Sequence, residues 1–299
     1  MKNIAVFLDG TQNRSEGTNL TNIAKLFMLA STVTPEGEPQ LKFYSPGVGV
    51  YRALDKVWTV LTGVGVQISL RQAYQFVCAN FDPGCRVFIF GFSRGAFSAR
   101  HLAGMIARIG ILRGPDIAYA RDAYEYYRST ITGRNPSRRF PSTEPHPVHF
   151  LGLWDTVAAT RPFLMGGNRG LYGDILEPEI LNVRHALARK ERRYSFYPQS
   201  YQGIRTQYVT KWFSGYHCDI GGSYPEENSY ISNAALLWMI QQAASFGFAV
   251  PEEFPWRHDS DATPTPHEYP WTPFLNRPRN DLYHADPYRE DCLAQVDAR

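Results

Sequence analysis

Apolar residues along this chain fall into two patterns: short continuous runs, and longer stretches with apolar positions every three or four residues. The first pattern predicts strands buried on both faces, the second helices packed by one side. Ile4 to Leu8 opens the series as a strand and ends in the polar turn D-G-T-Q-N. A helix follows over Thr21 to Leu29, with Thr21 or Asn19 as its cap, then a strand at Leu41 to Tyr44. Residues 54 to 63 read as a short apolar helix and Val66 to Asn80 as a longer one leading into a strand at Arg86 to Phe90. Beyond it Ala96, Ala99, Leu102, Ala103, Ile106 and Ile109 share one helical face, small enough to sit close on a sheet. Tyr119 to Thr130 is amphipathic, while Gly133 to Pro147 has no apolar period and reads as a loop or insertion. Strands are expected at Val148 to Trp154 and Gln207 to Phe213, helices at Asn182 to Arg192 and Ser232 to Phe246, and an irregular Gly-rich segment at Arg161 to Glu179.

This alternation implies an α/β fold with a mostly parallel central sheet flanked by helices. Residues 1–250 form one domain with an insertion near 113–147, and 299 residues suit such a unit. After Val250 the composition shifts, with eight prolines between Pro251 and Pro287. Trp256 and Trp271 argue against full disorder there, so 251–299 is expected as a Pro-rich extension packed on the same domain.

The segment R-V-F-I-F-G-F-S-R-G-A-F-S-A-R, residues 86 to 100, carries the candidate chemistry. It places Ser93 in G-x-S-x-G between a predicted strand and a predicted helix, the context of a nucleophile elbow in an α/β-hydrolase. Gly91 and Gly95 flank the turn, where a Cβ would collide with strand or helix. The Arg94 N–H then opens the helix and can face an oxyanion.

A serine nucleophile needs a base, and the base an orienting carboxylate. In this fold they follow in the order Ser, Asp, His on loops beyond strand carboxyl ends. Asp155 ends the strand V-H-F-L-G-L-W, and His217 lies in the loop S-G-Y-H-C-D-I-G-G after the last strand. The other histidines sit elsewhere: His101 and His185 on predicted helices, His149 in a strand, His146 at the edge of the insertion, and His258, His267 and His284 in the extension. Asp219 is an alternative orienter or a cation ligand. A second oxyanion donor is expected after an early strand, from Gly10 or Thr11, with Asp9 tying down that turn or binding a positive group.

A net charge of +3 gives no electrostatic case for nucleic acid, and Arg134 to Arg139 reads as solvated loop. Cys78, Cys85, Cys218 and Cys292 show no metal-ligand spacing, so they read as buried thiols or as thiols of a reducing compartment. No metal or organic cofactor is expected. The N-terminal apolar run is too short for a secretory signal, and no run is long enough to span a membrane. The expectation is synthesis in the cytoplasm, with export by a route needing no cleaved signal left open.

Taken together, F-L-D-G-T-Q-N, G-F-S-R-G-A-F, L-W-D-T-V, H-A-L-A-R-K-E-R-R and W-F-S-G-Y-H-C-D-I-G-G-S-Y resemble one family of bacterial and fungal α/β-hydrolase domains. It includes the first class of type VI secretion lipase effectors. The resemblance spans residues 4 to about 246. It implies an α/β-hydrolase fold, a triad matching Ser93, Asp155 and His217, and, for effector members, phospholipase A-type ester hydrolysis. An immunity or delivery protein as partner and transient membrane contact are left open. The residues by themselves support ester hydrolysis and leave open a small soluble ester, thioester or amide, or a non-catalytic binding protein on the same scaffold.

Overall fold

The computed structural model describes residues 1–10, 19–47, 64–131, 146–157, 176–193, 196, 201, 207–258, 284, 286, 289 and 290. Among these residues six strands form one sheet: β1 (Asn3–Leu8), β2 (Gln40–Ser45), β3 (Arg86–Phe92), β4 (Phe150–Trp154), β5 (Asn182–Ala188) and β6 (Gln207–Phe213). Their order is β2-β1-β3-β4-β5-β6, and every neighbouring pair is parallel. The helices are α1 (Asn22–Leu29), α2 (Val64–Asn80), α3 (Arg94–Ile109), α4 (Ala120–Ile131), α5 (His217–Gly221) and α6 (Tyr230–Ser245), with a 3₁₀ turn at Gly114–Tyr119.

Strand alternation divides the interior in two. Ile4, Val6, Leu8, Val87, Ile89, Leu151 and Leu153 point to the face covered by α2, α3 and α4. Ala5, Phe7, Phe88, Phe90, Phe150 and Trp154 point to the opposite face, under α1 and α6. Both faces of β1, β3 and β4 are buried, which is why these strands read as apolar runs. Each such fully buried Phe or Leu side chain contributes roughly 1.5–3 kcal/mol. On α3 the expected face of Ala96, Ala99, Leu102, Ala103, Ile106 and Ile109 is buried. On the same helix the buried Arg100 guanidinium lies 3.1 Å from the Glu177 carboxylate.

One expected element is wrong in kind. Asn182–Ala188 lies in a strand, not a helix. Its Ala, Leu and Arg favour helix locally, but β4 and β6 take its backbone groups on both sides and every residue is buried. Tertiary pairing overrides propensity, and His185 stands in the sheet rather than on a helix. Other boundaries move by a few residues. The expected helix at 54–63, Thr11, and most of 133–147 and 161–179 lie outside the described residues.

Asp286, Arg289 and Glu290 of the extension bear on β6 and α6. Thr210 Oγ1 and Trp212 Nε1 donate to Asp286 Oδ2 at 2.6 and 2.7 Å. Arg289 bridges Thr210 in parallel, and Trp238 Nε1 on α6 donates to Glu290 Oε1 at 3.2 Å.

Candidate active site

The strand order reverses between β1 and β3, so their connections leave in opposite directions and a crevice opens beyond their carboxyl ends. Asp9 directly follows β1 there and Ser93 directly follows β3. Ser93 has φ 58° and ψ −122°, a backbone conformation costly for any residue with a Cβ. Its N–H donates to the Trp154 carbonyl on β4 at 3.0 Å, and its carbonyl accepts from Phe97 at 3.2 Å, so the sheet and α3 hold the turn from both sides. Such tight packing excludes side chains at the flanks. A Cβ on Gly91 would lie 2.6 Å from Ala96 Cα, and one on Gly95 would lie 2.1 Å from the Leu8 carbonyl oxygen.

Three side chains from three strand ends meet at this turn. Ser93 Oγ lies 2.9 Å from His217 Nε2, and His217 Nδ1 lies 2.6 Å from Asp155 Oδ2. An ionised carboxylate only accepts, so Nδ1 carries the proton and Nε2 accepts from the serine hydroxyl. The other oxygen of Asp155, Oδ1, accepts from the Ala188 N–H at 3.0 Å, and the Asp155 N–H donates to the Ala186 carbonyl. Asp155 is fully buried with φ 39°, a second positive-φ residue at the site. Phe92 and Phe196 pack on the His217 ring, with centroids 4.8 and 4.7 Å away.

Asp219 is elsewhere. Its Oδ2 accepts from the Tyr216 N–H at 2.8 Å and caps α5, so its carboxylate serves the main chain beside His217. Cys218, next to His217, is pushed up to about 11 by burial and stays a thiol at neutral pH. His101 is pushed down to about 3 by burial and then by the Arg100 charge, and its Nδ1 meets the Tyr127 hydroxyl at 3.2 Å. His185 is fully buried; Nδ1 lies 3.1 Å from the Tyr208 hydroxyl and Nε2 accepts from the Thr156 N–H. It therefore braces the residue after Asp155, a role hidden when its segment is read as a helix.

The turn after β1 is tied down by Asp9. Its Oδ1 accepts from the Gly10 N–H at 2.6 Å, and its Oδ2 accepts from the Thr21 and Tyr44 hydroxyls at 2.6 and 2.7 Å. Burial and the Asp9 charge push the Tyr44 hydroxyl upward, keeping it a donor. The Gly10 N–H is thus engaged by a carboxylate. Arg94 opens α3, and first-turn N–H groups have no acceptor within their own helix. Its guanidinium is half-buried, shows no ion pair among the described residues, and is lowered by desolvation. Among the described residues no group of three His, Cys, Asp or Glu side chains is arranged to hold a metal ion. No helix among them is long and apolar enough to cross a membrane.

A parallel sheet with a strained serine turn at its switch point, flanked by helices on both faces, defines an α/β-hydrolase-like fold. Within that class, the family model described as T6SS phospholipase effector Tle1-like, catalytic domain, matches residues 2–242, and the chain belongs to that family. It is 28% identical over 251 residues to the uncharacterized protein YEL023C of Saccharomyces cerevisiae, covering 73% of this chain and 35% of that protein. A crystal structure of an uncharacterized protein from Pseudomonas aeruginosa aligns with TM-score 0.49 and 17% identity, over 84% of this chain and 46% of that one. The Tle1 effector bound to the VgrG spike of the type VI secretion system aligns with TM-score 0.43 and 23% identity, over 75% of this chain and 52% of that one. The chain therefore spans about a third of the yeast relative and about half of the two solved chains.

Proposed function

We propose that this chain is a serine carboxylic-ester hydrolase of phospholipase A type, with Ser93 as nucleophile, His217 as general base and acid, and Asp155 as orienter. The observation that carries the reading is the continuous contact Ser93 Oγ–His217–Asp155 at a positive-φ serine turn. His217 Nε2 takes the Ser93 proton as Oγ attacks the ester carbonyl carbon. Asp155 keeps the proton on Nδ1 and stabilises the imidazolium. The tetrahedral oxyanion is held by the Arg94 N–H and by a second donor in the turn after β1, Thr11, or Gly10 once its N–H leaves Asp9 Oδ1. His217 then protonates the leaving alkoxide, and a water activated by the same nitrogen hydrolyses the acyl-enzyme.

Family membership supports a glycerophospholipid as substrate. Arg94, half-buried and next to Ser93 in the chain, suits an ester carrying a phosphodiester. Membership in an effector family also supports a delivery or immunity protein as partner, and export without a cleaved signal.

The test compares wild type and Ser93→Ala on mixed phospholipid vesicles by mass spectrometry, with p-nitrophenyl esters alongside. Lysophospholipid and free fatty acid from wild type alone are expected, and their identity reveals which ester is cut. Turnover retained by Ser93→Ala sinks the mechanism. Cleavage of short esters with untouched vesicles discards the lipid substrate and keeps the serine.

A further inference from the structure

The motif H-A-L-A-R-K-E-R-R runs past the end of β5, and its acidic residue lies beside the histidine of the site. Arg189 N–H donates to the Phe213 carbonyl and Lys190 N–H to the Gly215 carbonyl, both at 2.9 Å, so pairing with the chain after β6 continues beyond the strand. This brings Glu191 level with His217. Glu191 is buried, and its Oε2 accepts from the backbone N–H of His217 at 3.2 Å. Its Oε1 accepts from the Arg192 and Arg193 N–H groups at 3.0 and 2.9 Å and from Arg193 Nε at 2.9 Å. Arg193 completes a bidentate pair with Oε2 at 2.7 Å. The same guanidinium sits over the Phe196 ring at 3.7 Å, and Phe196 meets the His217 imidazole edge-on.

We infer that Glu191 is a positioning residue for His217, and that Arg193 and Phe196 complete its mount. The inference rests on the hydrolase reading above. His217 must satisfy two short contacts at once, to Ser93 and to Asp155, from a position at the start of a five-residue helix. So short a helix does not hold its own first turn. Two carboxylates hold the main chain instead: Asp219 takes the Tyr216 N–H and Glu191 the His217 N–H. Arg193 pairs with the buried Glu191 carboxylate, which offsets the cost of burying its charge. Arg193 in turn holds Phe196 against the imidazole, on which Phe92 also packs, and these contacts limit ring rotation. An N–H engaged by a distant carboxylate has no sequence signature, so the motif by itself does not announce this role.

The experiment uses the full chain and a fluorophosphonate probe, which reports the reactivity of Ser93 whatever the natural substrate. Labelling rate constant and final stoichiometry are measured for wild type, Ser93→Ala, Glu191→Ala, Glu191→Gln, Phe196→Ala and Phe196→Leu, with kcat and KM on p-nitrophenyl butyrate. Displacing His217 by about 1 Å is expected to cost on the order of 100-fold in rate. Glu191→Ala should lose that much in labelling rate constant and kcat, with KM unchanged and every folded molecule still labelled in the end. Glu191→Gln keeps one acceptor oxygen for the His217 N–H but sets its NH₂ group against the Arg192 and Arg193 N–H groups, so its rate should fall between wild type and Glu191→Ala. Phe196→Leu should likewise outperform Phe196→Ala.

A purely structural role lowers the folded, labelled fraction and leaves the rate constant per labelled molecule untouched, and that result overturns the inference. Should Glu191→Ala not fold, Glu191→Gln against wild type and the Phe196 pair decide in the same way. Labelling of Ser93→Ala equal to wild type refutes the serine reading itself, and the positioning role falls with it.

Discussion

Replacing Asp155 by Asn changes one atom of the site, and the surrounding backbone dictates the consequence. Asp155 Oδ1 accepts from the Ala188 N–H at 3.0 Å while Oδ2 faces His217 Nδ1 at 2.6 Å. An asparagine has one acceptor oxygen and one donor nitrogen. Turning the oxygen to Ala188 satisfies that buried N–H and leaves the NH₂ group against the imidazole. Nδ1 must then accept, so the ring proton moves to Nε2, the nitrogen facing Ser93 Oγ. A protonated Nε2 cannot take the serine proton. Turning the amide the other way leaves a buried N–H opposite an NH₂, which costs about 1–3 kcal/mol. The wrong tautomer dominates, and kcat on p-nitrophenyl esters should fall about 10⁴-fold, or ~5.4 kcal/mol of transition-state stabilisation. Asp219→Asn is the matched control, since its amide oxygen still accepts from the Tyr216 N–H; its activity should stay within a few fold of wild type. A mild Asp155→Asn beside a crippled Asp219→Asn refutes the reasoning and moves the orienter.

Two further outcomes follow from the same geometry. Gly95→Ala puts a Cβ 2.1 Å from the Leu8 carbonyl oxygen and 2.5 Å from that of Asp9, both backbone; it should cost about 3 kcal/mol or more, and an unchanged melting temperature contradicts the close packing of α3 on β1. His101 is held near 3 in the fold, against an unfolded value of 6.5. The unfolded chain thus binds more protons below pH 6.5, and the stability this histidine contributes is complete above that pH and falls as pH drops toward 3. The loss is about 2 kcal/mol at pH 5, read as a lower urea midpoint that should be smaller in His101→Gln; an equal acid sensitivity in both proteins argues against a neutral buried His101.

Much of this architecture is legible locally. Strands buried on both faces carry unbroken apolar runs, so β1 and β3 are found within a few residues of their ends. The turn at Ser93 is visible because sterics leave only glycine at Gly91 and Gly95. Asp155 and His217 stand out because each directly follows, or nearly follows, a strand end. The segment Asn182–Ala188 is misread because its composition prefers helix, and only β4 and β6 on either side make it a strand.

The sequence by itself determines the alternation of strands and helices, the serine turn, and the chain order of the three residues around it, since these depend on periodicity and on backbone sterics over a few neighbours. Only the tertiary structure decides that Asp155 rather than Asp219 reaches the imidazole, that Asp9 engages the Gly10 N–H, and that Glu191 pins the main chain of His217. Hydrogen bonds are made over about 3 Å, and groups separated by tens of residues come within that reach only once the parallel sheet has set their register.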